Sequence, residues 1–224
     1  MLQHFIKIRL RRFDYRDTFR INMIAAHIIE LRHVSVIGAG YPFRTAIEES
    51  AAGNACVVQM KDVHQNGTVN WAGVAKTTLA GRKRPDWLAQ GDVLFVSRGN
   101  HYYATLVDTP PSNAVCGPHL FHIRVNNKAS LLPEFLVWQL NQPPLQRLLQ
   151  QSAAGSSQLS LRRVDLENLP ISVPSLATQS RISKLVSCAR SERAIFEQLI
   201  RNREAALAAI AASLATISPI KDPQ

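Results

Sequence analysis

The sequence predicts an α+β fold: a twisted, mostly antiparallel β-rich domain with peripheral helices, followed by a long C-terminal coiled-coil helix. Three observations predict it. Short apolar, β-branched runs recur at Val34–Ile37, Ala55–Met60, Val93–Val96, Ala104–Val107 and Leu120–Val125. Turn-rich stretches such as Gln65-Asn66-Gly67 and Thr109-Pro110-Pro111-Ser112-Asn113 separate them, so long loops fit better than alternating βα units. Beyond Ser175 the apolar period changes to 3.5 residues and holds for about five heptads.

Taken in order, residues 1 to 30 read as an N-terminal extension. Within it Ile6-Lys7-Ile8-Arg9-Leu10-Arg11 alternates like a strand, and Ile21 to Leu31 suits a helix. Residues 31 to 174 form the β-rich domain. Its opening, Val34 to Gln59, has the order of a dinucleotide-binding unit: an apolar run, Gly38-Ala39-Gly40, then a second apolar run at Cys56-Val57-Val58. Two departures exclude that unit. Phe43 stands where a third glycine would let helix and strand pack closely, and Lys61 follows Val57-Val58-Gln59-Met60 where a carboxylate would hold the ribose. Gly38 and Gly40 are better read as turn residues leaving the first strand.

Pro133 opens an apolar helix through Leu140, at a first-turn position where its missing N–H costs nothing. Pro143-Pro144 stops or kinks that helix before Leu145 to Gln151; Gly155-Ser156-Ser157 is a loop, and Leu159 to Val173 carries strand and turn signals up to the boundary at Pro174. Residues 175 to 218 form one helix and 219 to 224 a tail. Ile182, Leu185, Ala189, Phe196, Leu199, Ala206, Ile210 and Ile217 occupy the two seam positions of its repeat, with Glu192, Arg203 and Ser213 as polar members. At ~1.5 Å per residue, about 40 residues reach about 60 Å, past the radius of the preceding domain. Its own domain cannot cover such a stripe unless the helix folds back, so the seam predicts a second long helix as partner.

The chain has 224 residues, 46% of them hydrophobic, enough for one good core with an appendage. Its formal charge is +10, from 26 Lys+Arg against 16 Asp+Glu, and its pI is about 10.1. That field attracts polyanions, and nucleic acid leads the partner classes. Cys56, Cys116 and Cys188 are an odd number without paired spacing; there is no signal-peptide pattern and no apolar run near the ~20 residues of a membrane span. A cytoplasmic, reduced setting without a membrane partner is expected. Cys116, His119 and His122 lack a fourth metal ligand at recognisable spacing, so no metal is expected.

Catalysis also lacks its motifs. A DNA adenine methyltransferase needs an Asn-Pro-Pro-aromatic run, whereas Asn141-Gln142-Pro143-Pro144-Leu145 has an extra residue and no aromatic. A metal nuclease needs clustered carboxylates, and Asp86, Asp92 and Asp108 are scattered. The expectation is a non-catalytic protein.

Three segments, in order, resemble the specificity subunit of type I restriction-modification systems. Leu88 to Gly99 (LAQGDVLFVSRG) is similar to that family's Gly-Asp strand and turn; Leu132-Pro133-Glu134-Phe135-Leu136 through Gly155-Ser156 to its helix and Gly-Ser loop; and Leu169 to Ile182 (LPISVPSLATQSRI) to its entry into a long spacer helix. The resemblance covers about residues 31 to 216. It implies a domain that reads a few base pairs of double-stranded DNA in the major groove, and a helix that spaces two such domains and docks DNA methyltransferase subunits, with a restriction/translocase subunit as a further partner. S-adenosylmethionine, ATP and Mg would then sit only on partner subunits, with no cofactor on this chain. Family members commonly carry two recognition domains and two spacer helices, whereas this sequence has one of each. It resembles a half-length form that pairs with a copy of itself or with a second specificity chain.

The residues suit that work. Gly81-Arg82-Lys83-Arg84-Pro85 is a compact basic loop, and Arg98, Asn100, His101, Tyr102 and Tyr103 follow a strand onto another; Arg44 and Lys61 lie near the ends of early strands. Arg bonds guanine and Asn bonds adenine bidentately, while Tyr or Lys fixes a phosphate. The plainer reading of each is a solvated turn. Ile182, Leu185, Phe196, Leu199 and Ile210 are the predicted dimerisation and subunit-docking residues. The competing function is a coiled-coil assembly protein whose basic domain binds nucleic acid without reading its sequence.

Overall fold

The structure, a computed structural model, describes residues 27–43, 45–65, 67–79, 84–99, 101–153 and 160–215. Nine strands occupy these residues: β1 His27–Glu30, β2 Ser35–Ala39, β3 Ala55–Val58, β4 Ala75–Thr77, β5 Val93–Val96, β6 Tyr103–Leu106, β7 Ala114–Cys116, β8 Leu120–Val125 and β9 Pro170–Val173. The helices are α1 Pro133–Leu140, α2 Pro143–Ala153, α3 Arg163–Glu167 and α4 Leu176–Ala215. The central sheet, in the order β2-β8-β5-β6, is antiparallel throughout. A second sheet, β4-β3-β7, pairs β3 with β7 in parallel, and β1 pairs with β9 in a separate antiparallel ribbon.

The central sheet is covered on both faces, and β5 shows why its sequence is apolar without interruption. Successive side chains point to opposite faces. Val93 and Phe95 join a core with Phe135, Leu136 and Leu140 of α1 and Leu145 and Leu149 of α2. Leu94 and Val96 join another core, with Cys56 and Val58 of β3 and Ala114 and Cys116 of β7. The domain is therefore three layers deep: helices, central sheet, smaller sheet. Tyr41, Val57 and Val115 bury the outer side of the smaller sheet.

Asparagine and glutamine amides finish the edges. Asn141, at the end of α1, accepts from the Ala104 N–H and donates to its carbonyl, both at 2.8 Å, which satisfies edge strand β6. Gln139 bonds both backbone groups of Ser172 in β9 at 3.0 Å. These pairings give the Asn141-Gln142-Pro143-Pro144 stretch a structural role.

Four details differ from the sequence reading. The end of the expected helix Ile21–Leu31 is a strand, because His27–Glu30 finds the backbone of Pro170–Val173 to pair with. Gly38 lies inside β2, opposite His122, and is not a turn residue. Gly40 marks a close crossing: a Cβ there would sit 1.8 Å from the Gly117 carbonyl oxygen, so the glycine serves the layer packing. Strands β4 and β7, three residues each, are too short to show a period, and the region expected to be strand and turn from Leu159 holds the short helix α3.

Helix α4 starts as its sequence dictates. Pro174 ends β9, and the Ser175 hydroxyl accepts the Thr178 N–H at 3.3 Å as a cap. Gln179 is 0% exposed: its Oε1 accepts the Leu132 N–H, and its Nε2 donates to the carbonyls of Ser130 and Pro174, each at 2.8 Å. Further along, the turn at Gly67 lies under Arg190, whose guanidinium would come within 2.8 Å of a Cβ there. Gln179 and Arg190 thus both tie the helix to the domain.

Candidate nucleic-acid interface

One end of the central sheet gathers an exposed arginine and two exposed histidines. Strand β5 ends into Arg98, the β5–β6 connection carries His101, and the turn before β8 carries His119, because antiparallel pairing sets the end of β5 beside the start of β8. Arg98 Nη1 stands 3.3 Å from His119 Nε2, and the Ser97 N–H and hydroxyl both donate to the His119 carbonyl, at 3.1 and 2.9 Å. Val58, which ends β3, accepts the Gly117 N–H at 2.8 Å, so Lys61 follows from the same region. Lys61 Nζ lies 3.8 Å from Glu49, and both side chains are exposed, a pairing worth little in water.

The opposite end carries a spent guanidinium. Arg124 bonds Asp92 through Nε at 2.9 Å and Nη2 at 2.8 Å, Asp86 at 3.1 Å and the Trp87 carbonyl at 2.9 Å. His122 sits between the same acids, with Nε2 2.7 Å from Asp92 and Nδ1 3.3 Å from Asp86. Burial pushes the Asp92 carboxyl up, but hydrogen bonds from His122, Arg124 and the Ala89 N–H outweigh it and hold Asp92 well below the usual range. The Arg124 pKa is raised mainly by Asp92. Burial, with Asp86 nearby, pushes the Cys116 thiol up. Arg84, two residues before Asp86, is exposed and belongs to this end. His119 and Arg124 are five residues apart on one strand line, roughly 17 Å at ~3.3 Å per residue.

The structure thus parts the two basic segments that the sequence singles out. Arg98 and His101 are exposed at one end, Arg84 at the other. Arg44, Arg82, Lys83 and Asn100 lie outside the described residues. Tyr102 is 5% exposed and packs in the helix-side core, while the Tyr103 hydroxyl donates to the Val63 carbonyl at 2.8 Å. Both tyrosines therefore hold the loop from beneath. Among the described residues no three His, Cys, Asp or Glu side chains are grouped to hold a metal. No described helix is long and apolar enough to cross a membrane.

On α4, Ile182 packs against the domain core, whereas Leu185, Phe196, Leu199 and Ile210 are 53 to 63% exposed. Ile217 lies outside the described residues. Sequence reasoning missed a second stripe: Ile200, Leu207 and Leu214, seven apart and equally exposed, widen the seam on one side. Their spacing could have revealed them. It also missed the part Gln179 plays, since its burial depends on Leu132, Ser130 and Pro174 meeting around it, and it weighed His119 only as a metal ligand, without its neighbour Arg98.

A sequence model of the type I restriction modification DNA specificity domain (Methylase_S) matches residues 29–200. No curated protein matches the chain. Among solved structures, the chain is similar to one from work on complex assembly and conformational transition of the type I R-M system, at 19% identity and TM-score 0.58, covering 82% of this chain and 43% of that one. It is similar to the type I restriction-modification S subunit from M. genitalium at 17% identity and TM-score 0.55, covering 82% and 44%. The HsdS subunit from Thermoanaerobacter tengcongensis follows at 19% identity and TM-score 0.50, covering 77% and 39%. The likeness is one of fold, and the chain spans less than half the length of each of these structures.

Proposed function

The chain belongs to the family of type I restriction modification DNA specificity domains, and from that premise we propose that it reads one part of a double-stranded DNA target for a type I complex. The observation that carries this reading is a self-contained β-rich domain, cationic at one sheet end, clamped through Gln179 to a 40-residue helix with an open apolar face. The domain would engage DNA and the helix would engage protein. Arg98, His101, Lys61 and Arg84 are the described side chains in the proposed contact set, with Arg44, Arg82, Lys83 and Asn100 added from sequence. Tyr102 and Tyr103 support them.

The helix would dock DNA methyltransferase subunits, with a restriction/translocase subunit as a further partner, and would pair with another long helix. A second copy of the chain is the simplest source, and another specificity chain is the other. S-adenosylmethionine, ATP and Mg belong, on this reading, to the partners, and no catalytic step is assigned to this chain. The cytoplasm, where the DNA is, is its place of work.

Sequencing methylated sites in cells with and without the gene supplies the target. A salt titration then compares that duplex with a scrambled one. A reader keeps an affinity gap as salt rises, because base contacts do not depend on counterion release. Equal affinity at every salt concentration overturns the proposal in favour of a protein that only coats nucleic acid.

A further inference from the structure

We propose that His119 belongs to the DNA-reading site, where it fixes the plane of the Arg98 guanidinium and presents its own ring edge beside it. The inference rests on the reading of this chain as a sequence-specific DNA binder, and it names a residue pair that does the reading.

The first ground is charge. Arg32, Arg124, Arg162 and Arg163 each point at a carboxylate. Arg98 instead faces an imidazole. A guanidinium has five N–H donors and no acceptor, so a hydrogen bond here makes Nε2 of His119 the acceptor and places the ring proton on Nδ1. The contact orients the guanidinium without neutralising it. Among the described residues no other partner takes its remaining donors or the Nδ1–H, which suit an acceptor-rich ligand. The guanine edge, with O6 and N7 adjacent, fits a planar fork held in one orientation.

The second ground is backbone geometry. His119 has φ +66°, and among the described residues it is the one non-glycine in that left-handed region. Glycine takes that conformation freely, whereas most other residues, histidine included, take it less readily. The turn itself needs only the His119 carbonyl, which accepts from Ser97 twice. The imidazole is surplus to the fold, and it is aimed at Arg98. Gly99, next to Arg98, has φ +105° with open space where a Cβ would stand, so a ligand can approach the backbone on that side.

The test uses the full chain, alone and with a methyltransferase subunit of a type I system, on a library of duplexes with a randomised core. Bound duplexes are sequenced for wild type, Arg98→Ala, His119→Gly, His119→Asn and the Arg98→Ala/His119→Gly double variant. His119→Gly keeps the turn conformation, and thermal melting checks that each variant folds. Arg98→Ala should lose about tenfold or more of the preference for one base at one position. His119→Gly should lose part of the preference at that same position, the double variant should be no worse than Arg98→Ala, and His119→Asn, which keeps an acceptor and tolerates the backbone, should recover most of it. An unchanged motif for His119→Gly, or a loss spread evenly over all positions, overturns the role of the imidazole while leaving the parent reading intact. A wild-type chain that selects no motif in either preparation overturns both.

Discussion

Val93, Leu94, Phe95 and Val96 of β5 are each 0 to 1% exposed, whereas Leu185, Phe196, Leu199 and Ile210 of α4 are all more than half exposed. Both sets are apolar at a regular period, and among the described residues only one finds its complement. The domain places a layer on each face of its central sheet. The helix keeps Ile182 packed on the core and Arg190 beside the turn at Gly67, and carries the rest of its seam away from the central sheet. Fully burying a large aliphatic or aromatic side chain is worth about 1.5–3 kcal/mol. With the flanking stripe, seven such residues, each already partly covered, put the gross gain on the order of 10 kcal/mol, within the ~4–15 kcal/mol that association itself costs. Pairing would thus be specific and reversible by substitution.

The strongest way to break the contrast is to charge the seam. Leu199→Asp with Ile210→Asp would bury unpaired carboxylates in any helix pair, costing several kcal/mol, and both sites are exposed in the single chain, so the domain should not notice. Light scattering should show association of the wild-type chain, alone or with a proposed methyltransferase partner, and its loss in the double variant, while the domain melts at the same temperature. A double variant that associates as the wild type does would place the pairing surface elsewhere. For two copies related by a two-fold axis, the methylated target should be an interrupted palindrome.

A smaller effect is expected where the two regions meet. Gln179→Leu keeps the bulk of the side chain but leaves the Leu132 N–H and the carbonyls of Ser130 and Pro174 without their partner. Buried groups left unsatisfied cost about 1–3 kcal/mol each, and some will reach water, so a net loss of about 3 kcal/mol is expected. Hydrogen exchange should rise first at residues 176–183 and only later in the central sheet. Uniform acceleration across the domain would make Gln179 an ordinary core residue rather than the joint.

What the sequence revealed follows the same division. The heptad seam is local in sequence, and α4 runs from Leu176 to Ala215 inside the predicted 175 to 218. The runs at β3 and β5 were legible as four continuous apolar residues, and those at β2, β6 and β8 as mostly apolar or β-branched segments bounded by turn residues. The partners of those runs were not. The parallel pairing of β3 with β7 joins residues nearly sixty positions apart, and β1 becomes a strand only because β9 is there to receive it. The interface behaved likewise: Arg98 stands out beside its strand, but Tyr102 and Tyr103, which share its loop, turn inward because the core lies beneath them. His119 reaches Arg98 from a turn more than twenty residues away.

The smallest effect separates the two ends of the domain by charge. Asp92 is buried, with His122, Arg124 and the Ala89 N–H all donating to it, and Gly91 before it has φ +87°. Leu88 to Gly99 therefore holds both a turn that needs glycine and the acid that ties β8 to β5. Breaking a fully buried pair costs about 3–5 kcal/mol; Arg124 is partly exposed, so Asp92→Asn should cost less, about 2 kcal/mol at neutral pH. Because the folded carboxyl is held below its ordinary value, the unfolded chain takes up the proton first as pH falls. The stabilisation is thus complete above the unfolded pKa near ~3.9 and is lost as the pH drops below it toward the folded value. Denaturant melts at pH 7 and pH 3 should show the gap between wild type and Asp92→Asn shrinking at the acid end, with the helix-mediated association of the variant unchanged at pH 7. A gap of constant size would mean that Asp92 acts through shape and neutral hydrogen bonds, and a variant that also loses association would show that the domain and the helix are not separable.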